Sequence, residues 1–285
     1  MKKRYISVLI VMLAFFLQSC EKDADIEVPK VDPQMVLSCF VSPDQETIKA
    51  VLRVSDPVFG SGNNVDPYMP LEGATITLRH GNGAGINMTY DMISGTYTLP
   101  GSAFPIELGE TYTITASHPD YASISATTTV PASTPQIDEF TVLDVDTVYS
   151  NFDSYIDYSL KARWRLTSGI GQYYILQFDN RIQYDDGSGI IYTQLNYLGS
   201  SFIQNSDNEA SFNRTYQLQG SYFMAEPGLD SELVLTVVNA SEEYYRFHKS
   251  IQNINYGDPF SEPTLIYDNV ENGLGIFAAF TKKES

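Results

Sequence analysis

Cys20 is the residue whose setting most clearly indicates a chemical modification. It follows a basic cluster at Lys2–Arg4, a twelve-residue apolar run from Ile6 to Leu17, and the small residue Ser19. The run is too short to cross a bilayer, since a membrane-spanning helix needs about 20 apolar residues. The order of basic, apolar and small residues is instead typical of a cleaved secretory signal. Cleavage before Cys20 would place its thiol at the new N-terminus, where it can be acylated.

The sequence Leu17-Gln18-Ser19-Cys20 resembles a bacterial lipobox, in which the cysteine carries thioether-linked and amide-linked acyl chains. Gln18 departs from the small residue that is usual at its position. Each buried CH₂ contributes about 0.8 kcal/mol to membrane binding, and two anchoring signals together hold a protein stably. We therefore predict that residues 1–19 are a lipoprotein signal peptide and that Cys20 is lipidated. The alternative is an ordinary cleaved signal followed by an incidental cysteine.

Residues 20–33 are predicted to form an acidic tether. Carboxylates recur at Glu21, Asp23, Asp25 and Glu27 without a pair of adjacent apolar residues, which is typical of a solvated segment. The stretch resembles the acidic export signal that carries lipoproteins of some Gram-negative bacteria to the outer face of the outer membrane. We expect a lipid-anchored outer-membrane protein that faces the cell surface, with the periplasmic face as the alternative.

Cys39 is the second of only two cysteines, so no intramolecular disulfide is expected once Cys20 carries lipid. Leu37, Cys39 and Val41 share one face of a predicted strand, which favours a small buried hydrophobe. A catalytic thiol is the alternative. It needs electropositive and partly exposed surroundings, and no histidine lies near Cys39 in the sequence.

Other residue types that carry enzymatic chemistry are scattered. His80, His118 and His248 form no H-E-x-x-H pair, and the sequence has neither a nucleophile elbow nor a phosphate loop. We therefore predict no catalytic residue, no metal ligand and no cofactor. A glycan hydrolase is the alternative, because it needs only two carboxylates about 5–10 Å apart. That alternative requires a cleft in which one carboxyl group has a raised pKa.

Two short motifs admit a functional interpretation beside a simpler one. The carboxylates of Asp185-Asp186-Gly187-Ser188-Gly189 are compatible with a calcium loop, but the spacing is not that of an EF-hand, so a hairpin turn is favoured. Asp146-Thr147-Val148 resembles a bacterial O-glycosylation sequon, which makes Thr147 a candidate for O-glycosylation.

Charge narrows the classes of partner. The formal net charge is −18, and the signal contains three of the seventeen basic residues and no acidic one, so the remaining chain is still more acidic. Nucleic-acid binding needs a basic patch that neutralises phosphates, so we expect no nucleic-acid partner. Anionic lipid head groups would also be repelled.

Short runs with alternating apolar residues predict an all-β fold. In Ala74–Arg79, for example, Ala74, Ile76 and Leu78 point inward while threonines point outward. Seven such runs predict an immunoglobulin-like β-sandwich over residues 34–131. They are Met35–Val41, Ile48–Val54, Ala74–Arg79, Ile86–Tyr90, Thr96–Leu99, Thr111–Ser117 and Ser123–Val130.

Four pieces of this region are similar to prealbumin-like or carboxypeptidase-regulatory-like sandwiches. They are Gly73–Ile76, Gly95–Leu99, Gly109–Ile114 and His118–Tyr121. The likeness concerns the fold and implies no chemistry, because one fold supports many functions.

A Pro/Ser/Thr connector at Val130–Pro135 predicts a domain boundary, followed by a second β-rich domain over residues 136–285. One short helix is predicted near residues 240–252, with Asn239 and Glu242 as a capping pattern and Tyr244, Phe247 and Ile251 as the apolar face. The predicted strands are Ile137–Leu143, Tyr155–Leu166, Gln172–Tyr184, Ile190–Leu195, Arg214–Met224, Glu232–Asn239 and a last strand at Leu274–Phe280.

A binding loop is predicted at Tyr68 and Met69, within the long segment Phe59–Leu71. The chain contains 20 Tyr, 15 Phe and 1 Trp, and exposed tyrosine offers amphipathic contact area for a peptide or a glycan. Most aromatic residues are expected to fill the cores. Long loops in compact domains are often functional, so Tyr68 and Met69 are the candidates for exposed exceptions.

The C-terminal region resembles one family closely. Ser241–Phe247, Asp258–Pro263 and Ile266–Phe277 are similar to the signature of the domain of unknown function 4249 lipoproteins, and Phe40–Asp44 and Phe104–Tyr112 match its N-terminal half. The resemblance implies an accessory partner of a TonB-dependent receptor in nutrient uptake, and it implies no set of functional residues. We therefore expect a non-enzymatic binding lipoprotein, with an adhesive or structural surface protein as the alternative.

Overall fold

The computed structural model describes residues 32–55, 69–149, 154–166, 170–185, 189, 191–221, 230–252 and 265–285. Within them the fold is all-β with a single short helix, which confirms the predicted fold class. The elements are β1 Met35–Val41, β2 Thr47–Val54, β3 Thr75–His80, β4 Ile86–Asn87, β5 Thr89–Asp91, β6 Thr96–Pro100, β7 Thr111–His118, β8 Tyr121–Thr129, β9 Pro135–Tyr149, β10 Ser154–Leu166, β11 Tyr173–Asp185, β12 Ile191–Gln204, β13 Ser211–Ser221, β14 Asp230–Ala240, α1 Glu242–Gln252 and β15 Leu274–Glu284.

The described strands form three sheets. An eight-stranded sheet has the order β12-β11-β14-β15-β1-β2-β6-β5, a three-stranded sheet has the order β13-β10-β9, and a four-stranded sheet has the order β4-β3-β7-β8. The last strand of the chain, β15, lies between β14 and β1 and pairs with β1 in parallel, with Leu37 opposite Gly275. All other pairs of named strands are antiparallel.

The four-stranded sheet packs on the β1-β2-β6 part of the large sheet around a first core. Leu37, Ile48, Ile76 and Tyr112 are fully buried in it. Cys39 is 1% exposed in the same core, and burial raises the pKa of its thiol to about 12. This confirms Cys39 as a buried hydrophobe, because a thiolate would be strongly disfavoured there.

The three-stranded sheet packs on β11 and β14 around a second core. Its centre is Trp164, which stacks on Phe212 with ring centroids 4.9 Å apart and meets Tyr174 edge-on. All three rings are fully or almost fully buried. Aromatic pairs of this kind contribute about 0.5–1.5 kcal/mol each beyond the area that they bury.

The connector between the two cores is held by hydrogen bonds to its backbone. Asn239 Nδ2 and Thr281 Oγ1 both donate to the carbonyl oxygen of Ser133, at 2.9 and 2.8 Å. The eight-stranded sheet contains strands from both sides of this connector, since β15 is hydrogen-bonded to β1 and to β14. The two-domain division at residues 131–136 stays a prediction, as does the prealbumin-like identity of the first sandwich.

Several local predictions needed correction. The predicted strand at Ile86–Tyr90 is in fact two strands, because β4 pairs with β3 and β5 pairs with β6 in another sheet. The helix lies where it was predicted, but its N-cap is Ser241, whose Oγ accepts from Tyr244 N at 3.3 Å, and not Asn239. Ser at the N-cap satisfies one of the free amide groups of the first turn.

The predicted apolar face of α1 was also wrong in part. Tyr245 is the buried residue of the helix, and it packs on Tyr173 and Phe202. Tyr244 packs on Phe280, whereas Ile251 is 36% exposed. The helix covers the outer side of the large sheet with a face rotated from the predicted one.

Candidate functional site

The residues predicted to be functional do not come together in the described structure. Cys20 and Tyr68 lie outside the described residues, as does the tether up to residue 31. Met69 is 63% exposed, as expected for a loop residue. Thr147 lies in β9 opposite Ile156, and its side chain is outside the described part of the structure. Gly189 has a φ of 82°, which agrees with the hairpin-turn interpretation.

A groove of about 810 Å³ lies beside the second core, between β9 and the ends of β14 and β15. We call it the edge groove. Its apolar lining is Ile137, Phe140, Val142, Tyr158 and Leu233, and its polar lining is Asp138, Glu139, Asn180, Glu232, Lys283, Glu284 and Ser285.

The edge groove exists because β9 is the edge strand of its sheet. Val142 pairs with Leu160, and Val145 pairs with Tyr158, and both of those partners are buried. Val142 and Val145 are nevertheless 41% and 52% exposed. Side chains that point toward the core therefore reach solvent where the two sheets part, which leaves apolar surface open to a ligand.

A register shift widens the apolar edge further. The β9–β10 pairing slips between Ser159 and Leu160, so that Leu143 has no partner on β10. A β-bulge of this kind re-aims side chains at a sheet edge, and Leu143 is 53% exposed.

The rim of the edge groove is charged and internally paired. Glu139 binds Lys161 at 3.0 Å and Arg163 at 3.4 Å, and Asp138 binds Arg165 at 3.2 Å. On the opposite side Arg181 binds Glu232 at 3.0 Å and also contacts Glu284. Exposed pairs stabilise a fold by at most about 1 kcal/mol each. Their main effect here is to hold charged groups at defined positions around the apolar lining residues, which form the floor of the groove.

The carboxylates of the rim bear on the hydrolase alternative. A general acid needs a carboxyl group with a raised pKa. The hydrogen bond from Lys161 instead lowers the pKa of Glu139, so this carboxylate holds its negative charge more firmly. Within the described residues, no three His, Cys, Asp or Glu side chains are grouped so that they could hold a metal ion.

A second, smaller cavity of about 230 Å³ lies under α1 and is lined by Ile175, Tyr197, Phe202, Tyr244, His248 and Gln252, among others. His248 is the unusual residue of this pocket. Its ring lies 4.2 Å from that of Tyr244, 5.6 Å from that of Phe40 and 5.5 Å from that of Phe247. Its Nε2 is buried without a hydrogen-bond partner among the described residues, and desolvation lowers the pKa of its ring to about 4.

The burial of His248 predicts a pH dependence of stability. The pKa of the folded state, about 4, is below the unperturbed value of 6.5, so the unfolded state binds the proton first as the pH falls. The stabilisation is present above pH 6.5 and is lost as the pH falls toward 4. Between pH 7 and pH 4.5, the wild-type protein should lose about 2 kcal/mol of unfolding free energy more than His248→Leu does. Urea unfolding at both pH values measures this, and equal losses in the two proteins would contradict it.

The residues that line the edge groove were not predicted from the sequence. The predicted strand ended at Leu143, although alternation continues through Val145 and the strand reaches Tyr149. That continued alternation is the signal that could have revealed the long edge strand. The opposite wall, with Leu233 and Lys283, comes from sheet pairing that no local pattern indicates.

No helix of the described ranges combines the length and the apolar character that crossing a bilayer requires.

Comparison with known proteins gives one informative match. A family model described as "Domain of unknown function (DUF4249)" matches residues 21–285. No curated protein matches the chain at a significant level. Among solved structures, one named "Cytokine receptor complex - Crystal form 1A" is 12% identical and covers 87% of this chain and 94% of its own, with a TM-score of 0.22. At that TM-score the likeness carries no argument.

Proposed function

Because the chain belongs to the family described as domain of unknown function DUF4249 and contains the lipobox-like sequence Leu17-Gln18-Ser19-Cys20, we propose that it is a non-enzymatic binding lipoprotein of the outer membrane. Its proposed role is to assist a TonB-dependent nutrient transporter. The proposed anchor is acylated Cys20, and residues 20–33 would hold the folded part away from the bilayer.

The edge groove is the observation that supports binding. Its floor is apolar and open, and its rim presents fixed charges of both signs. Recognition sites commonly combine an apolar surface with a few placed polar groups. Ion pairing at Glu139 and Asp138 favours a positioning role for these carboxylates over proton transfer.

A peptide segment of the transporter is the occupant that best fits the edge groove. The groove runs beside β9, whose outer edge has no strand partner within the described sheets. An extended segment could lie in the groove and place apolar side chains on Val142, Phe140 and Leu233, through side-chain contacts and without pairing with the charged edge of β9. A glycan is the alternative ligand, and it would use the polar rim more than the floor.

Val142→Arg tests this function. The arginine would place a charged group on the apolar floor and fill part of the groove, so co-purification of the transporter after mild detergent extraction should fall at least about tenfold, equivalent to about 1.4 kcal/mol. Val142 is 41% exposed, so the fold should be retained.

Ile93→Arg is the matched control, because Ile93 is 98% exposed in the turn before β6 and far from the groove in the topology. It should co-purify as the wild type does. Equal retention of the transporter by Val142→Arg and Ile93→Arg would exclude the groove as the binding site. Absence of any TonB-dependent receptor from the wild-type eluate would overturn the proposed function itself.

A further inference from the structure

Edge strands need protection, because an unpaired row of backbone groups can add a strand from another chain. Six named strands lie at sheet edges in the described structure: β4, β5, β8, β9, β12 and β13. Two of them, β4 and β5, are only two and three residues long. The edge of β8 is covered by the segment before β15, since Glu271 N donates to Ser125 O at 2.8 Å.

Two further edges carry charge. β9 begins at Pro135 and contains Asp138, Glu139, Asp144 and Asp146. β13 contains Arg214, which is ion-paired with Glu209 at 2.9 Å. Charged side chains and proline are the usual means by which edge strands avoid pairing with other chains.

Among the residues that the structure describes, the β12 edge shows none of these protections. It is fourteen residues long, reads IYTQLNYLGSSFIQ, and contains no charged residue and no proline, in a chain of net charge −18. Its second half is near β13, where Leu198 packs on the second core. Its first half, Ile191–Tyr197, is largely exposed.

The exposed half of β12 carries an apolar stripe, which we define as Ile191, Thr193, Leu195 and Tyr197. These residues pair with Asp185, Gln183, Arg181 and Asp179 of β11, so they share one face of the sheet. Ile191, Leu195 and Tyr197 are 69%, 57% and 58% exposed. Such a run of exposed apolar side chains on an open edge is typical of a strand-addition site.

The stripe is complementary to itself in one antiparallel register. When Gln194 faces Gln194 of a second copy, Ile191 lies opposite Tyr197 and Thr193 lies opposite Leu195. Every member of the stripe then meets another member on the same face, and β-branched residues beside aromatic or aliphatic ones are favourable cross-strand pairs. On the other face the two Gln194 side chains lie opposite each other, where their amides can hydrogen-bond.

We propose that two copies of the chain pair through the first halves of their β12 strands, antiparallel about Gln194, and so join their eight-stranded sheets. The absence of charge from β12 is what permits this occupant, because like charges opposite each other would oppose pairing of identical strands. A two-fold arrangement of this kind closes on itself, so the paired halves of β12 are not available to a third copy.

The charge of the whole chain adds a distinguishing property. The full sequence has a formal net charge of −18, so long-range repulsion opposes association, whereas the seam between the two β12 strands carries no charge. Salt screens that repulsion, with a Debye length of about 10 Å at 0.1 M. The dimer should therefore strengthen as ionic strength rises from 20 mM to 500 mM, whereas a contact held by ion pairs would weaken.

Cysteine cross-linking tests the register in the full chain, in the membranes of the producing cells. Facing Cα atoms in antiparallel pairs are about 4.5–5.5 Å apart, within disulfide range. Gln194→Cys should therefore give a band of twice the mass on a non-reducing gel. Thr193→Cys is the matched control: it faces Leu195 of the second copy and should cross-link at least about fivefold less. The wild type sets the background, and its Cys39 is buried.

Sedimentation of the full chain in detergent provides the second measurement. Leu195→Lys puts a charge into the seam and should shift the wild-type dimer to monomer, while Ile93→Lys, at a 98% exposed site outside the seam, should not. Thermal unfolding checks that both variants are folded. A monomeric wild type at 500 mM salt, equal cross-linking at positions 193 and 194, or a cross-link to a protein of different mass would each overturn the proposal.

Discussion

Replacing Gly275 by alanine is expected to prevent the chain from reaching its folded state. Gly275 has a φ of 116°, a conformation that residues with a side chain rarely adopt. A Cβ at this position would overlap the carbonyl oxygen of Leu37 and lie 2.8 Å from Leu37 C and N. These are backbone atoms of the neighbouring parallel strand, so they cannot move aside as a flexible side chain would. We expect a loss of about 4 kcal/mol or more in unfolding free energy.

Gly81→Ala separates the cost of the positive φ from the cost of the overlap with backbone atoms. Gly81 also has a positive φ, 49°, but a Cβ there would meet nothing within 4 Å. The variant should lose only about 1–2 kcal/mol of unfolding free energy, which is the cost of a positive φ for a residue with a side chain. Urea unfolding of both variants, together with the yield of folded protein, is the measurement. If Gly275→Ala were as stable as Gly81→Ala, the tight parallel contact between β1 and β15 would be wrong.

Replacing Cys20 by serine should release the protein from the membrane fraction. Serine cannot form the thioether, and the two or more acyl chains would be lost together at about 0.8 kcal/mol per CH₂. We expect the variant to keep residues 1–19, with a mass larger by that segment and smaller by the acyl groups. Fractionation followed by intact-mass measurement reads out both effects.

Cys39→Ala is the control for this substitution, since it removes the other thiol from a buried site and should leave the protein membrane-bound and processed. The alternative of an ordinary signal with an incidental cysteine predicts that Cys20→Ser is shortened and released just as the wild type is. A Cys20→Ser protein that stays bound and unshortened would also show that lipid on Cys20 is not the anchor.

Local pattern was sufficient for most strands of the first sandwich. β1 was predicted with its bounds, and β2 and β7 within one residue, because each strand has one buried face and therefore strict alternation. The pattern failed at Ile86–Tyr90, where two strands of different sheets follow each other. Such a switch between sheets leaves the period unchanged, so the sequence does not reveal it.

The long strands β9 and β12 were predicted too short, and for β12 the reason is physical. β12 continues past Leu195 through Gly199, Ser200 and Ser201, which offer no large apolar side chain and so interrupt the apolar period. They are accommodated because backbone pairing with β11 continues to Gln204. Tertiary pairing thus extends a strand beyond the residues whose own preference favours it.

The candidate site was less predictable than the fold. The edge groove brings Phe140 and Val142 together with Leu233 and Lys283, which lie far along the chain from them. The hydrophobic period of the sequence does not indicate which distant strands lie side by side. The lipid attachment at Cys20, by contrast, is predicted from residues adjacent to it in sequence, since signal processing acts on an extended chain.

The central position of β15 has a consequence for the order in which the protein can form. The eleven residues of β15 supply the strand between β14 and β1, so the large sheet cannot close until residues 274–284 have been synthesised. Pairing over so great a separation in sequence is slow to nucleate. Until β15 has been added, the part of the large sheet that contains β1 and the part that contains β14 have no strand to join them.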